Sequence, residues 1–177
     1  MLEKLRKLFV SCNPFDEPFQ PSVERRLLLY PTDGYILTEQ QFKALSIAAA
    51  SLGDTTGYCI ITERIHDLSD NNIDLICYKI DLHDYGSYRK LSYSAPIVEE
   101  NALISDRAEW AVLFSTELHA LVGGPKSFIE EFVRLYPEVD KEFDEFVKAW
   151  KADAERIGYD ISWLPKLAAH LHRNLGL

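Results

Sequence analysis

Glu117 and His119 stand two positions apart in EWAVLFSTELHALVGGPKSF, residues 109–128. On a strand, positions i and i+2 share a face, so the carboxylate could hold the imidazole as a general base. The same face carries Leu121, which turns it toward the protein interior, where a histidine more often serves packing than proton transfer. Gly123-Gly124-Pro125-Lys126 then precedes a helical pattern and could present free N–H groups to an anion. The GxxxxGK[ST] spacing of a phosphate loop is absent, and a strand-to-helix corner that releases the chain from the sheet is the expected reading. Asp81, His83 and Asp84 cluster at the end of a strand pattern, and Glu63 and His66 lie three apart. These residues offer oxygen and nitrogen ligands, but with no HExxH and no paired CxxC the expectation is turn chemistry, with no metal and no cofactor. His170 and His172 sit about 200° apart around a helix, which excludes joint ligation, and both read as surface residues. No GxSxG elbow is present, and neither Cys59 nor Cys77 has a base beside it in sequence.

Acidic residues form the other chemical signal. PEVDKEFDEF places Glu138, Asp140, Glu142, Asp144 and Glu145 on one helix against Lys141, while the apolar stripe of that helix is committed to the core. Its outer face is expected to be strongly negative, and Glu99, Glu100, Asp106 and Glu109 to extend the field. The whole chain carries 19 Lys and Arg against 28 Asp and Glu, a net charge of −9. That balance disfavours nucleic acid and anionic membrane surfaces and suits a basic protein partner.

The elements that must position these residues follow from pattern. The chain's 177 residues, 47% of them hydrophobic, can bury a core without disulfide or metal, and one globular domain over residues 1–177 is expected. No apolar segment approaches the roughly 20 residues of a membrane span. The run Leu8 to Val10 is shorter than the core of an export signal, so the N-terminus reads as a short amphipathic helix. Cys12, Cys59 and Cys77 lack CxxC spacing and fit reduced thiols in a cytoplasm, with Cys59 and Cys77 as small core residues. RRLLLYP and residues 57–65 and 73–82 read as strands, and residues 84–109 as one or two irregular strands. Trp110 to Val122 reads as a hairpin with a break of about three residues. Thr38 with Gln41 forms a capping box before a helix that ends at Gly53. Further helices follow Pro125 and Pro137, the second stopped by Gly158, and Ser162 can cap a last one. The pattern predicts an α+β fold: a largely antiparallel central sheet of about five or six strands, N-terminal helices and a helical C-terminal third.

In size, acidity and the run WAVLFSTELHALVGG followed by PKSFIEEF, the chain resembles the small acidic cytosolic immunity proteins that bacteria keep beside secreted polymorphic toxins. The resemblance bears on class rather than architecture, because such proteins span many folds. It implies a non-catalytic module that blocks a toxin by binding, with acidic residues matched to a basic toxin surface. Glu138, Glu142, Glu145, Glu99 and Glu100 are then the expected partner-binding residues. The alternative is a small-ligand or hydrolase-type enzyme with a pocket between sheet and helices, using Glu117, His119, Asp81 or His83. A third possibility is an assembly component that buries exposed tyrosines in an oligomer of unspecified order.

Overall fold

The computed structural model, which describes residues 1–65, 67–94 and 99–175, contains one antiparallel sheet. Its strands are β1 (Arg25–Leu29), β2 (Thr56–Ile61), β3 (Cys77–Asp81), β4 (Asn101–Ser105), β5 (Ala111–Phe114) and β6 (Ala120–Gly124). They lie side by side in the order β1-β6-β5-β4-β2-β3. Around them pack α1 (Leu2–Leu8), α2 (Glu39–Ser51), α3 (Tyr85–Ser94), α4 (Lys126–Leu135), α5 (Val139–Ile157) and α6 (Leu164–His170).

Every residue of β4, β5 and β6 is buried, so both faces of the central sheet are covered. Period-two alternation therefore feeds two cores. Leu29, Ile61, Leu103, Val112, Phe114 and Val122 enter the first with Phe42 of α2, Tyr88 of α3 and Phe128 and Phe132 of α4. Leu28, Ile60, Ile104, Leu113 and Leu121 enter the second with Leu5 of α1, Phe146 of α5 and Leu167 of α6. The C-terminal helices thus divide, α4 to one face and α5 and α6 to the other.

Local signals explain several boundaries. Thr38 and Gln41 form the capping box of α2, and Gly158 ends α5 at φ 76°. Of residues 84–109, expected to hold one or two irregular strands, Asn101–Ser105 forms β4, while residues 85–94 are helical instead. The Asp84 carboxylate accepts the Ser87 N–H at 2.9 Å and so caps a helix, and Tyr85 and Tyr88 reach Phe42 at 5.5 and 4.6 Å from one face of it. Capping and helical packing outweigh the strand preference of the tyrosines. Residues 95–98, also within that segment, lie outside the described residues. β3 is an edge strand, so Cys77 is exposed while Cys59, on β2, is buried. The cap position of α6 is Trp163, and the Ser162 N–H is turned to Asp160 at 2.8 Å. Gly123 and Gly124 do not release the chain; they pair within β6 with Arg26 and Arg25 of β1.

Candidate functional site

Strand register gathers three connections at one end of the sheet. Ile61, the last residue of β2, lies opposite Asn101, the first of β4. Phe114, the last of β5, lies opposite Ala120, the first of β6, and Ala120 also faces Leu29 at the end of β1. The chain leaves this end through Thr62-Glu63-Arg64, arrives through Glu99-Glu100 and turns through Thr116-Glu117-Leu118. Four carboxylates from distant sequence positions thereby share one rim.

Their mutual field shows in the groups between them. The Tyr35 phenol is raised above its ordinary value by burial first, then by Glu63, Glu100, Glu117 and Glu99. The Glu100 carboxyl is also raised, by burial first and then by Glu63 and Glu117, although the Thr116 N–H donates to it at 3.4 Å. Arg64 pairs with Glu99 at 3.2 Å. Among the described residues Glu63, Glu100 and Glu117 enter no ion pair, so the rim keeps a net negative charge. Beneath it a cavity of about 250 Å³ is lined by Cys12, Asn13, Thr62, Glu63 and Glu100. The Thr62 hydroxyl is buried without a hydrogen-bond partner among the described residues. Burial, helped by Glu100, pushes the Cys12 thiol up to about 12, which removes it as a nucleophile.

The β5–β6 turn separates the two residues that spacing places on one face. The Ser115 N–H donates to the His119 carbonyl at 3.0 Å, leaving a loop of Thr116, Glu117 and Leu118. Leu118 has φ 57°, the left-handed position that closes such a loop and is usually given to glycine or asparagine. That reversal leaves Glu117 exposed in the loop and sends His119 inward, 0% exposed. The imidazole Nε2 lies 3.3 Å from the Pro14 carbonyl, with the rings of Phe15 and Phe146 at 5.0 and 4.8 Å. Its Nδ1 makes no hydrogen bond of normal geometry among the described residues, although the Glu117 backbone lies near enough to act on the ring. Burial lowers the pKa to about 4, so the ring is neutral near pH 7. No carboxylate orients it.

Asp81 and His83 lie at the opposite end of the sheet, because Asp81 pairs with Thr56 at the start of β2. A strand of this length separates the two ends by roughly 17 Å. The Asp81 carboxylate accepts the His83 backbone N–H at 2.9 Å, a turn contact, and His83 is exposed. Glu117, His119, Asp81 and His83 therefore do not converge. Asp106 and Glu109 also belong to that far end, following Ser105, which pairs with Gly57; they bond Lys4 and Arg107 rather than extending the field of Glu99 and Glu100. His66 lies outside the described residues, so its proposed partnership with Glu63 is not placed. Among the described residues no group of three or more His, Cys, Asp or Glu side chains is arranged to hold a metal, and no helix is long and apolar enough to cross a membrane.

The face of α5 differs from its expectation. Glu142 is buried, its carboxylate accepting the Tyr30 N–H at 2.9 Å and the Tyr136 hydroxyl. Glu138 is exposed. Glu145 is exposed but paired with Lys141 at 3.6 Å, and Asp140 is paired with Arg173. With Lys148 also exposed, the outer surface is mixed rather than uniformly negative. His170 corrects the surface reading too, since it is buried and accepts the Phe19 N–H at 3.3 Å. At the Gly-Gly-Pro-Lys segment the start of α4 is already met by a carboxylate of the chain itself, Glu24, which accepts the Lys126 N–H at 2.7 Å.

Sequence spacing gives no signal for Tyr35 or Thr62 at the rim, because each joins it through a hydrogen bond across a long separation: the Tyr35 carbonyl accepts Asn101 Nδ2 at 3.0 Å, and the Thr62 N–H donates to the Glu100 carbonyl at 2.8 Å. No protein-family model, curated protein or solved structure matches this chain.

Proposed function

We propose that this protein is a non-catalytic binding module that recognises a basic protein partner through the acidic end of its sheet, in the manner of a bacterial immunity protein held in the cytoplasm. The observation that carries the reading is the rim of Glu63, Glu99, Glu100 and Glu117, gathered by strand register, in which among the described residues Arg64 is the one paired cation. Such a rim attracts a positive surface and repels phosphate, which speeds encounter with the right class of partner. The buried, neutral imidazole of His119, held by backbone rather than by a carboxylate, and the remote Asp81 and His83 favour recognition over proton-transfer chemistry at this end. Glu99 and Glu100 remain in the binding surface, Glu117 and Glu63 join it, Glu138 and Glu145 become peripheral, and Glu142 acts in the core.

The test is co-expression with a toxin encoded by a flanking reading frame. Rescue of growth by the wild-type chain, lost when Glu63, Glu99 and Glu117 are changed to lysine in a variant that still folds, supports the reading. Rescue that survives those changes, or flanking frames with no toxin, contradicts it.

A further inference from the structure

A cavity of about 140 Å³ opens beside the β5–β6 turn, lined by Tyr30, Trp150 and Tyr159, by Glu117 and Asp153, and by Leu118. Glu117 belongs both to this wall and to the acidic rim. Three aromatic residues beside two carboxylates complement one kind of group. An aromatic face attracts a cation through its quadrupole, and a carboxylate supplies charge and paired acceptors. A guanidinium is planar, weakly hydrated and forked, so it can stack on a ring and bond a carboxylate together; an ammonium has no plane to stack. We propose that this cavity receives an arginine side chain of the basic protein partner. The inference rests on the acidic-surface reading and gives it a specific anchor.

The geometry prepares the cavity before any partner arrives. The Trp150 ring is held edge-on by Trp163 at 5.1 Å and 89° and by Phe146 at 6.3 Å, while Tyr30 packs on the same Phe146 ring at 5.6 Å. Tyr159 stands 6.0 Å from Trp150 at a 43° tilt, which leaves a wedge between the two rings. Tyr159 is 52% exposed and Leu118 46%, a pair of large apolar residues beside charged ones. Leu118 also holds its left-handed backbone there, anchored by the Thr32 N–H on its carbonyl at 2.9 Å. The chain supplies its own example of the contact: Arg156 bonds Asp153 at 2.7 Å across exposed surface. A solvent-exposed pair of that kind is weak and exchanges readily, so an incoming guanidinium competes with Arg156 rather than meeting an empty carboxylate.

The experiment uses the full chain and follows the tryptophan indole resonances by NMR, with Trp150 identified through Trp150→Phe. The probes are the blocked pentapeptide Gly-Gly-Arg-Gly-Gly, its citrulline analogue, free L-arginine and a lysine-rich peptide. The arginine peptide is expected to shift the Trp150 resonance saturably and leave that of the enclosed Trp110 in place, while the neutral citrulline isostere does neither. Glu117→Gln and Tyr159→Ala, both at exposed positions, are each expected to weaken binding about two- to five-fold. Arg156→Gln is expected to strengthen it by removing the internal competitor. An equal response to citrulline, or affinity unchanged in both Glu117→Gln and Tyr159→Ala, overturns the proposal. Binding of L-arginine without binding of the peptide makes this a free amino-acid site and overturns it as a docking point. If the arginine peptide fails while the lysine-rich peptide binds in a way that Glu63→Lys and Glu99→Lys abolish, the cavity proposal alone falls. If neither peptide binds, the acidic-surface reading falls with it.

Discussion

The Glu142 carboxylate accepts the backbone N–H of Tyr30 at 2.9 Å, tying α5 to the chain just past the edge strand β1. The side chain is 6% exposed and also takes the Tyr136 hydroxyl, so two donors depend on it. Glu142→Ala is expected to lower stability by about 1–3 kcal/mol, because it leaves two part-buried donors without this acceptor. Glu138→Lys and Glu145→Lys are expected to stay within about 0.5 kcal/mol. Urea denaturation of the three variants checks this, and similar small shifts for all three would remove Glu142 from its structural role.

His119 and His170 are both lowered to about 4, chiefly by burial. An imidazole with a lowered folded pKa binds more protons unfolded than folded between about 4 and 6.5. Its contribution to stability is therefore full above pH 6.5 and declines as pH falls toward 4. The raised carboxyls of Glu100 and Glu142 act in the opposite sense, holding protons more tightly in the fold, so a variant is needed to isolate the histidine. His119→Phe keeps a ring between Phe15 and Phe146 and is expected to flatten the loss of stability between pH 6.5 and 4. A denaturation midpoint that falls with acid as steeply as in the wild type assigns the slope to other groups.

Gly123 and Gly124 are required by packing. A Cβ on Gly123 would stand 2.7 Å from the Phe19 ring, and one on Gly124 would stand 2.9 Å from Phe128 and 3.0 Å from Trp110. Gly123→Ala and Gly124→Ala are each expected to cost about 1–3 kcal/mol through displaced core rings. Thermal unfolding measures this, and neutral substitutions would show that the rings can yield.

The buried Asp54 carboxylate joins Trp110 Nε1 at 3.0 Å to Arg107 Nε at 3.1 Å. Asp54→Ala is expected to destabilise by about 2–4 kcal/mol, since it strands the indole donor of a fully buried ring. Tryptophan emission compared with stability checks the assignment; a loss below about 0.5 kcal/mol contradicts it.

The α2 cap, the end of α5 and the β5–β6 hairpin were legible because each is encoded within a few residues: Thr38 with Gln41, Gly158, and the alternation from Val112 to Phe114. Residues 85–94 misled because tyrosines favour strands, and only the cap from Asp84 and the distant ring of Phe42 decide for a helix. The candidate site was half legible. Glu99, Glu100, Glu117 and Glu63 each drew attention, but what unites them is strand register, which spacing along the chain does not reveal. Glu142 misled for a related reason: helical periodicity marks an acidic face and cannot show that Tyr30 and Tyr136 draw one member of it inside.

The most direct test of the proposed acidic binding surface is the rate of association with the proposed partner, a basic toxin domain, at about 0.02 and about 0.2 M salt, a range over which screening shortens markedly. The wild-type chain is expected to associate many-fold faster at the lower salt, and the combined change of Glu63, Glu99 and Glu117 to lysine to slow it toward its high-salt value. Glu138→Lys with Glu145→Lys is expected to have a smaller effect. Association indifferent to both salt and the triple change, or slowed most by the α5 pair, would contradict the account.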